Sequence, residues 1–393
     1  MKKYVLMFSL LFFTFSVLLN TVSAQESEQS QEEDTYDLAP DAKSGILIER
    51  DTGKVLFEKE ANEKLPPASM TKIMTLLLIM EELEKGTLTK DDVVRVSENA
   101  ASMGGSQIFL EAGEEMKVDD LLKGIAIASA NDASVAMAER IAGSEAEFVK
   151  KMNAKVKELG LTDTKFQNAS GLPASDHYST AYDMAMIAKE LLSYESITNY
   201  TSVYEDYLRK GTDNEFWLVN TNKLVRFYPG VDGLKTGFTN EAKYCLTATA
   251  KKGDMRVVAV VMGAETPKQR NATVSNMLDF AFNTYETKKL FDKGQAVTSL
   301  NLLKAENNHV NVVASESVST VFKKGESMDK LTTSVQLDEV NLPLTKGEKV
   351  GTLLVKNGEK VVLETPVVVE QDVKKASYFT LLKRSIQKLS KND

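Results

Sequence analysis

The chain has 393 residues, 42% of them hydrophobic and 26% charged, with a formal net charge of −8; that length predicts two domains, and the acidic balance argues against nucleic acid as a partner. Its single cysteine, Cys245, excludes an intrachain disulfide. Its two histidines, His177 and His309, exclude a histidine-rich metal site and leave little room for a Ser-His-Asp triad, so neither a metal nor a cofactor is expected.

In chain order, Met1-Lys2-Lys3, an apolar run over 4–19 and Val22-Ser23-Ala24 form a secretory signal pattern, with removal expected after residue 24. Residues 25–37 are acidic and Gln/Ser-rich, and predict a disordered leader. Order is expected from about Ala42. Strands over 44–49 and 54–58 flank the turn Arg50-Asp51-Thr52-Gly53. Pro66-Pro67 then precede a helix from Ser69 to the C-cap residue Gly86. Met70, Ile73, Met74, Leu76, Leu77 and Ile79 lie all round this helix, which predicts that protein surrounds it.

Met103-Gly104-Gly105-Ser106 predicts a flexible loop. Helices are expected over 118–128, from Asn131 or Asp132, over 146–159 and over 182–192, with Ser129 at the first junction. The strand period returns at Val231, and strands over 243–250 and 255–263 flank Lys251-Lys252-Gly253-Asp254. A helix over 273–285 closes this part. Strands at both ends with helices between predict an α+β domain over 38–286, one antiparallel sheet carrying a helical insert. Short strands and the hairpin signal Lys356-Asn357-Gly358-Glu359 predict a small all-β domain over 287–371.

Residues 372–393 predict an amphipathic helix. Tyr378, Phe379, Leu381, Leu382, Ile386 and Leu389 fall on one side, and Lys383, Arg384, Lys388 and Lys391 on the other. Such a helix either packs on the β-domain or, as its aromatic-and-leucine face opposite a basic face better suits, lies in an anionic membrane interface; it is too short and charged to span one.

Chemistry is carried by three short motifs that gain meaning from their order. S-x-x-K occurs at Ser69…Lys72, Ser327…Lys330 and Ser385…Lys388, but only the first opens a buried helix. Residues i and i+3 share a helix face, so the Ser69 hydroxyl and Lys72 amine are placed together, and a desolvated lysine can act as the serine's base. S-x-N occurs at Ser97…Asn99, Ser129…Asn131, Ser299…Asn301 and Ser390…Asn392; Ser129 sits between two helices, where a short loop points side chains into a cleft. K-[ST]-G occurs at Lys43-Ser44-Gly45 and at Lys235-Thr236-Gly237, the latter just ahead of a strand in the second hairpin region. S-x-x-K, S-x-N and K-T-G in this order form the signature of penicillin-binding proteins and serine β-lactamases.

The residue chemistry fits. Ser69 is the candidate nucleophile, Lys72 its base and Ser129 a proton relay. Asn131 would hold a substrate amide or simply cap its helix, and Lys235 and Thr236 would bind a carboxylate. Gly237 leaves a strand edge clear for a peptide, and the backbone N–H groups of Ser69 and Phe238 are candidate oxyanion donors. Cys245 and His177 read as structural, and Arg270 as either functional or a solvated residue at a helix start.

The sequence resembles low-molecular-weight penicillin-binding proteins, the D-alanyl-D-alanine carboxypeptidases, and in particular the sporulation-associated ones. The resemblance runs from about Leu38 onward, through Pro67-Ala68-Ser69-Met70-Thr71-Lys72, Ser129-Ala130-Asn131-Asp132-Ala133, His177 to Asp183, Val231 to Gly237, and Met262-Gly263 leading to Arg270. It implies a β-lactamase/transpeptidase-like fold and removal of the terminal D-alanine from peptidoglycan stem peptides through an acyl-enzyme on Ser69. It also implies inhibition by β-lactams, and a role for Arg270 at the substrate carboxylate. The expected location is the outer face of the cytoplasmic membrane or the cell wall.

Ala130 departs from the commoner S-G-N, and Phe238 stands where some relatives carry histidine. Two rivals are a serine β-lactamase and a non-catalytic wall-binding module. An E-x-x-L-N pattern is missing between Asn131 and Lys235, against the first. Intact Ser69, Lys72, Ser129, Asn131 and Lys235 weigh against the second.

Overall fold

The computed structural model describes residues 37–326 and 330–389, with the backbone alone over 385–389. The secretory signal, the leader through residue 36, Ser327 and the Ser390…Asn392 pair lie outside the described residues, as does the side chain of Ser385.

Five strands build the main sheet: β1 (Ser44–Glu49), β2 (Val55–Lys59), β3 (Val231–Thr239), β4 (Lys243–Lys252) and β5 (Met255–Ala264). The order is β2-β1-β5-β4-β3 and every pairing is antiparallel. The expected joining of the two ends is the β1–β5 pairing, in register from Ser44↔Met262 to Glu49↔Val257. All residues of β1 and β5 are buried because both faces are covered. Ile46, Ile48, Val258, Val260 and Met262 face the helical insert, whereas Leu47, Val257, Ala259 and Val261 face the closing helix. This division follows from the two-residue period of a strand.

The insert contains α1 (Lys72–Lys85), α2 (Val118–Ala128), α3 (Asn131–Ala142), α4 (Glu145–Glu158) and α5 (Ala181–Leu191). Every residue from Lys72 to Glu81 in α1 is buried, as its all-round apolar pattern predicts. Ser69 itself lies in a 3₁₀ turn, Ala68–Thr71, that leads into α1. The loop at Gly104-Gly105 is pinned rather than free. Asn131 Nδ2 donates to Gly104 O at 2.7 Å, and the Asp132 carboxylate accepts from the backbone N–H groups of Ile108 and Leu110.

The closing helix α6 (Pro267–Thr284) starts before the expected position 273. Thr266 caps it by accepting from Gln269 N, with Pro267 in the first turn. T-P-x-Q was the overlooked start signal, because a hydroxyl cap three residues before Gln satisfies an end N–H. Arg270 therefore falls in the first turn.

Beyond it come β6 (Tyr285–Phe291), β7 (Ala296–Asn301), β8 (His309–Ala314), β9 (Val318–Lys323), β10 (Leu331–Leu337), β11 (Lys349–Asn357) and β12 (Lys360–Val369). They form a β7-β8-β12-β11-β10 sheet and a β6–β9 ribbon around a separate apolar core. Helix α7 (Tyr378–Leu389) follows. Helical spacing places Arg384 on a water-facing side, yet its guanidinium donates to the carbonyls of Leu303, Ala305 and Glu306 at 3.2, 2.7 and 2.6 Å. The carbonyls of the β-domain loop capture it, a long-range match that a helical wheel does not contain. Tyr378 and Phe379 stay exposed, at 73% and 79%. No helix among the described residues is long and apolar enough to cross a membrane.

Candidate active site

Ser69 enters the site on a constrained backbone. Ala68 takes φ 47°, and Gly171 packs so closely against the Ala68–Ser69 peptide that a Cβ there would lie 1.9 Å from Ala68 O. With φ +83° as well, position 171 accepts only glycine without strain. Lys72 Nζ lies 3.2 Å from Ser69 Oγ, the i,i+3 meeting expected from the sequence. Nζ also donates to Asn131 Oδ1 and to Ser170 O, each at 2.6 Å. Ser170 and Gly171 were missed at the sequence level. A backbone carbonyl carries no side-chain signature, and only the fold brings this loop to α1.

Lys72 is wholly buried. Desolvation drives its pKa well below the usual lysine value, the charge of Lys235 lowers it further, and Asp132 opposes the shift. Asn131 begins α3, but Ala130 is the cap position. The Asn131 amide is instead divided between Lys72 and Gly104 O, so it does not cap the helix. Ser129, buried, ends α2 in the left-handed conformation (φ 64°, ψ 33°), which turns the chain sharply between the helices.

Lys235, Thr236, Gly237 and Phe238 lie inside β3, not ahead of it, and β3 is an edge of the sheet. Gly237 faces the 3₁₀ turn, where a Cβ would lie 2.8 Å from Pro67 O and 3.2 Å from Ala68 Cβ. The glycine thus lets the strand close onto the segment that carries Ser69. Thr236 Oγ1 donates to Thr221 Oγ1 at 2.8 Å; Thr221, also missed, follows the buried Asn220 that is held by Thr201 O and Val203 O. Phe238 is half exposed and packs on Tyr244, with ring centroids 4.4 Å apart.

Lys235 is fully buried and its pKa is pushed down to about 7, first by desolvation and then by the Arg270 charge. Arg270 is 6% exposed, so the solvated reading fails; its guanidinium is held by Asn271 Oδ1 at 2.9 and 3.1 Å. Among the described residues neither Lys235 nor Arg270 has a carboxylate partner. Two buried, uncompensated cations are costly unless an anion arrives.

His177 makes its hydrogen bonds outside the Lys72 cluster. Its Nδ1 accepts from Gln167 N at 3.2 Å, so Nε2–H donates to Thr71 Oγ1 at 2.8 Å. Burial pulls its pKa down to about 4, which leaves it a neutral pin between the start of α1 and the 165–178 loop. Cys245 is buried, paired in register with Gly237, and its pKa is raised to about 11 by burial.

A D-alanyl-D-alanine carboxypeptidase family model matches residues 27–266, and a model of the C-terminal domain of penicillin-binding protein 5 matches 285–375. The chain belongs to the D-alanyl-D-alanine carboxypeptidase family. It is 57% identical over 371 residues to the D-alanyl-D-alanine carboxypeptidase DacF of Bacillus subtilis, covering 94% of this chain and 95% of the relative. Its structure is similar to penicillin-binding protein 5 of Haemophilus influenzae (TM-score 0.66, 30% identity, 85% of this chain and 98% of that one). It is also similar to penicillin-binding protein D2 of Listeria monocytogenes in its ampicillin-bound form (TM-score 0.56, 30% identity, 62% and 98%). The family's members are serine hydrolases, and this chain is one: a serine D-Ala-D-Ala carboxypeptidase with the mixed penicillin-binding-protein fold followed by an all-β domain. The β-lactamase and wall-binding readings are not favoured.

Proposed function

We propose that Ser69 attacks the carbonyl of the penultimate D-alanine of a peptidoglycan stem peptide, with Lys72 as the base that takes its proton. The observation that carries this reading is the pair of buried cations, Lys235 and Arg270, beside a serine and a desolvated lysine. A C-terminal carboxylate is the anion such a site suits. A neutral Lys72 has two N–H donors, matched by Asn131 Oδ1 and Ser170 O; its lone pair is then left for the Ser69 hydroxyl. Asn131 accordingly orients Lys72 in addition to any amide it receives from substrate.

Backbone N–H groups of Ser69 and Phe238 stabilise the oxyanion, a contribution of about 3 kcal/mol by comparison with measured oxyanion donors. Ser129 passes the proton to the departing D-alanine, and water then hydrolyses the ester. A β-lactam acylates Ser69 by the same attack on its ring carbonyl. The test is D-alanine release from a soluble peptide ending in D-Ala-D-Ala, together with a covalent penicillin mass on the intact protein. Absence of both overturns the proposal.

Lys235 gives the carboxylate site a pH signature. Its ammonium form attracts the carboxylate and is lost in the free enzyme as pH rises through about 7. KM should therefore rise, and kcat/KM fall, above that pH, while bound carboxylate holds the proton and keeps kcat level to higher pH. Lys235→Arg should carry the descending limb out of range because guanidinium keeps its charge. A limb that stays in place in this variant has another source.

The chain is further proposed to divide into a signal over 1–24, a leader over 25–37, a catalytic domain over 38–286, a β-domain over 287–371 and a membrane-associating helix over 372–393. Export would place it on the outer face of the cytoplasmic membrane, at the wall. Exposed Tyr378, Phe379 and Leu382 at the start of α7 support the interfacial role. Truncation after Val369 should release the protein from anionic vesicles without changing turnover of a soluble peptide. Equal partitioning of truncated and full-length mature protein would count against the anchor.

A further inference from the structure

We infer that Glu241 recognises the side-chain amine of the stem-peptide residue that precedes the D-Ala-D-Ala pair, so that the enzyme prefers stems whose amine is free. The inference rests on the carboxypeptidase reading above and names a specificity residue for the same site.

Two anchors fix the direction of the bound peptide. Its terminal carboxylate belongs at Lys235 and its scissile carbonyl at Phe238 N–H. The preceding residues must therefore run past Thr239 along the open edge of β3, each advancing about 3.4 Å. A groove of about 590 Å³ opens there, bounded by Pro67 and Ala68 just before Ser69, by the loop from Gly171 to Tyr178, and by Thr239 and Glu241. It is the direct continuation of the catalytic edge.

The charges in this groove are already matched, except one. Lys64 pairs with Asp163 at 3.0 Å and lies over the Tyr178 ring, 5.0 Å from its centre. Asp176 pairs with Lys165. His177 is neutral and turned toward Thr71. Glu241 is exposed and makes no ion pair among the described residues. A lone carboxylate one or two residues beyond the scissile bond matches a cationic side chain in that position of the substrate. Peptidoglycan stems carry a diamino acid there, through whose amine cross-links form. Acylating that amine removes its charge, so Glu241 would favour stems that are not cross-linked through it.

The test compares two soluble peptides, Nα-acetyl-L-Lys-D-Ala-D-Ala and its Nα,Nε-diacetyl counterpart, in low salt. The wild-type enzyme should favour the free amine in kcat/KM by about three- to fivefold, the range of a solvent-exposed ion pair. Glu241→Gln should bring that ratio to about one, chiefly through KM, and 0.5 M NaCl should compress it in the wild type. Asp176→Asn, whose partner is Lys165, should leave the ratio within about twofold of wild type. A wild-type ratio of one, or a preference that survives Glu241→Gln, overturns the inference. Failure of the wild-type enzyme to release D-alanine from either peptide overturns the carboxypeptidase reading as well.

Discussion

Ser69→Ala should abolish the covalent penicillin adduct and cut D-alanine release on the order of 10⁴-fold or more, the scale of losing a serine nucleophile. The substitution removes one oxygen from the 3₁₀ turn, and the contact it deletes is the 3.2 Å approach of Lys72 Nζ. The Gly171 and Gly237 packing around the turn depends on backbone atoms and on Ala68 and Met70, so the turn itself should persist. Loss of chemistry with an unchanged unfolding transition is the expected pair of observations. Peptide mapping of the wild-type adduct should find it on Ser69. An adduct mapped to Ser129, Ser327 or Ser385 would overturn the assignment.

Lys72→Ala should slow acylation by about 10²–10⁴-fold, the usual contribution of a positioned general base. Lys72→Arg should do no better, because guanidinium stays protonated near neutral pH. In the wild type, desolvation favours the uncharged amine, so the base form grows as pH rises through the depressed pKa. The acylation rate should climb through that pH and then level off. The readout is the second-order rate of penicillin acylation, which isolates the first chemical step. If Lys72→Ala kept more than about a tenth of the wild-type rate, the base would lie elsewhere, with Ser129 the next candidate.

These two expectations draw on different levels of the molecule. The Ser69–Lys72 meeting was legible in the sequence, since i,i+3 spacing brings side chains together wherever a turn forms. The burial of α1 was legible for a similar reason: apolar residues around its whole circumference leave no face for water. Boundaries depended on whether their cap chemistry was recognised. Residues 118–128 match α2, whereas α6 starts at Pro267 because Thr266 caps it. The expected looseness at Gly104-Gly105 did not survive, since Asn131 and Asp132 bind that loop from another element.

By itself the sequence determined the local pattern: three motifs in order, the elements that carry them, and an acidic chain whose two histidines and one cysteine leave little room for a Ser-His-Asp triad. Those properties depend on neighbours within one or two turns. Only the tertiary structure decided that Ser170 O and Asn131 occupy the Lys72 amine, that Gly171 and Gly237 close on the Ser69 turn, and that Arg270 is buried near Lys235. It also turned Arg384 onto the β-domain. Periodicity shows that a face is covered but not by what; desolvation and close approach are set by atoms remote in sequence, and they decide which lysine can be neutral and which position must be glycine.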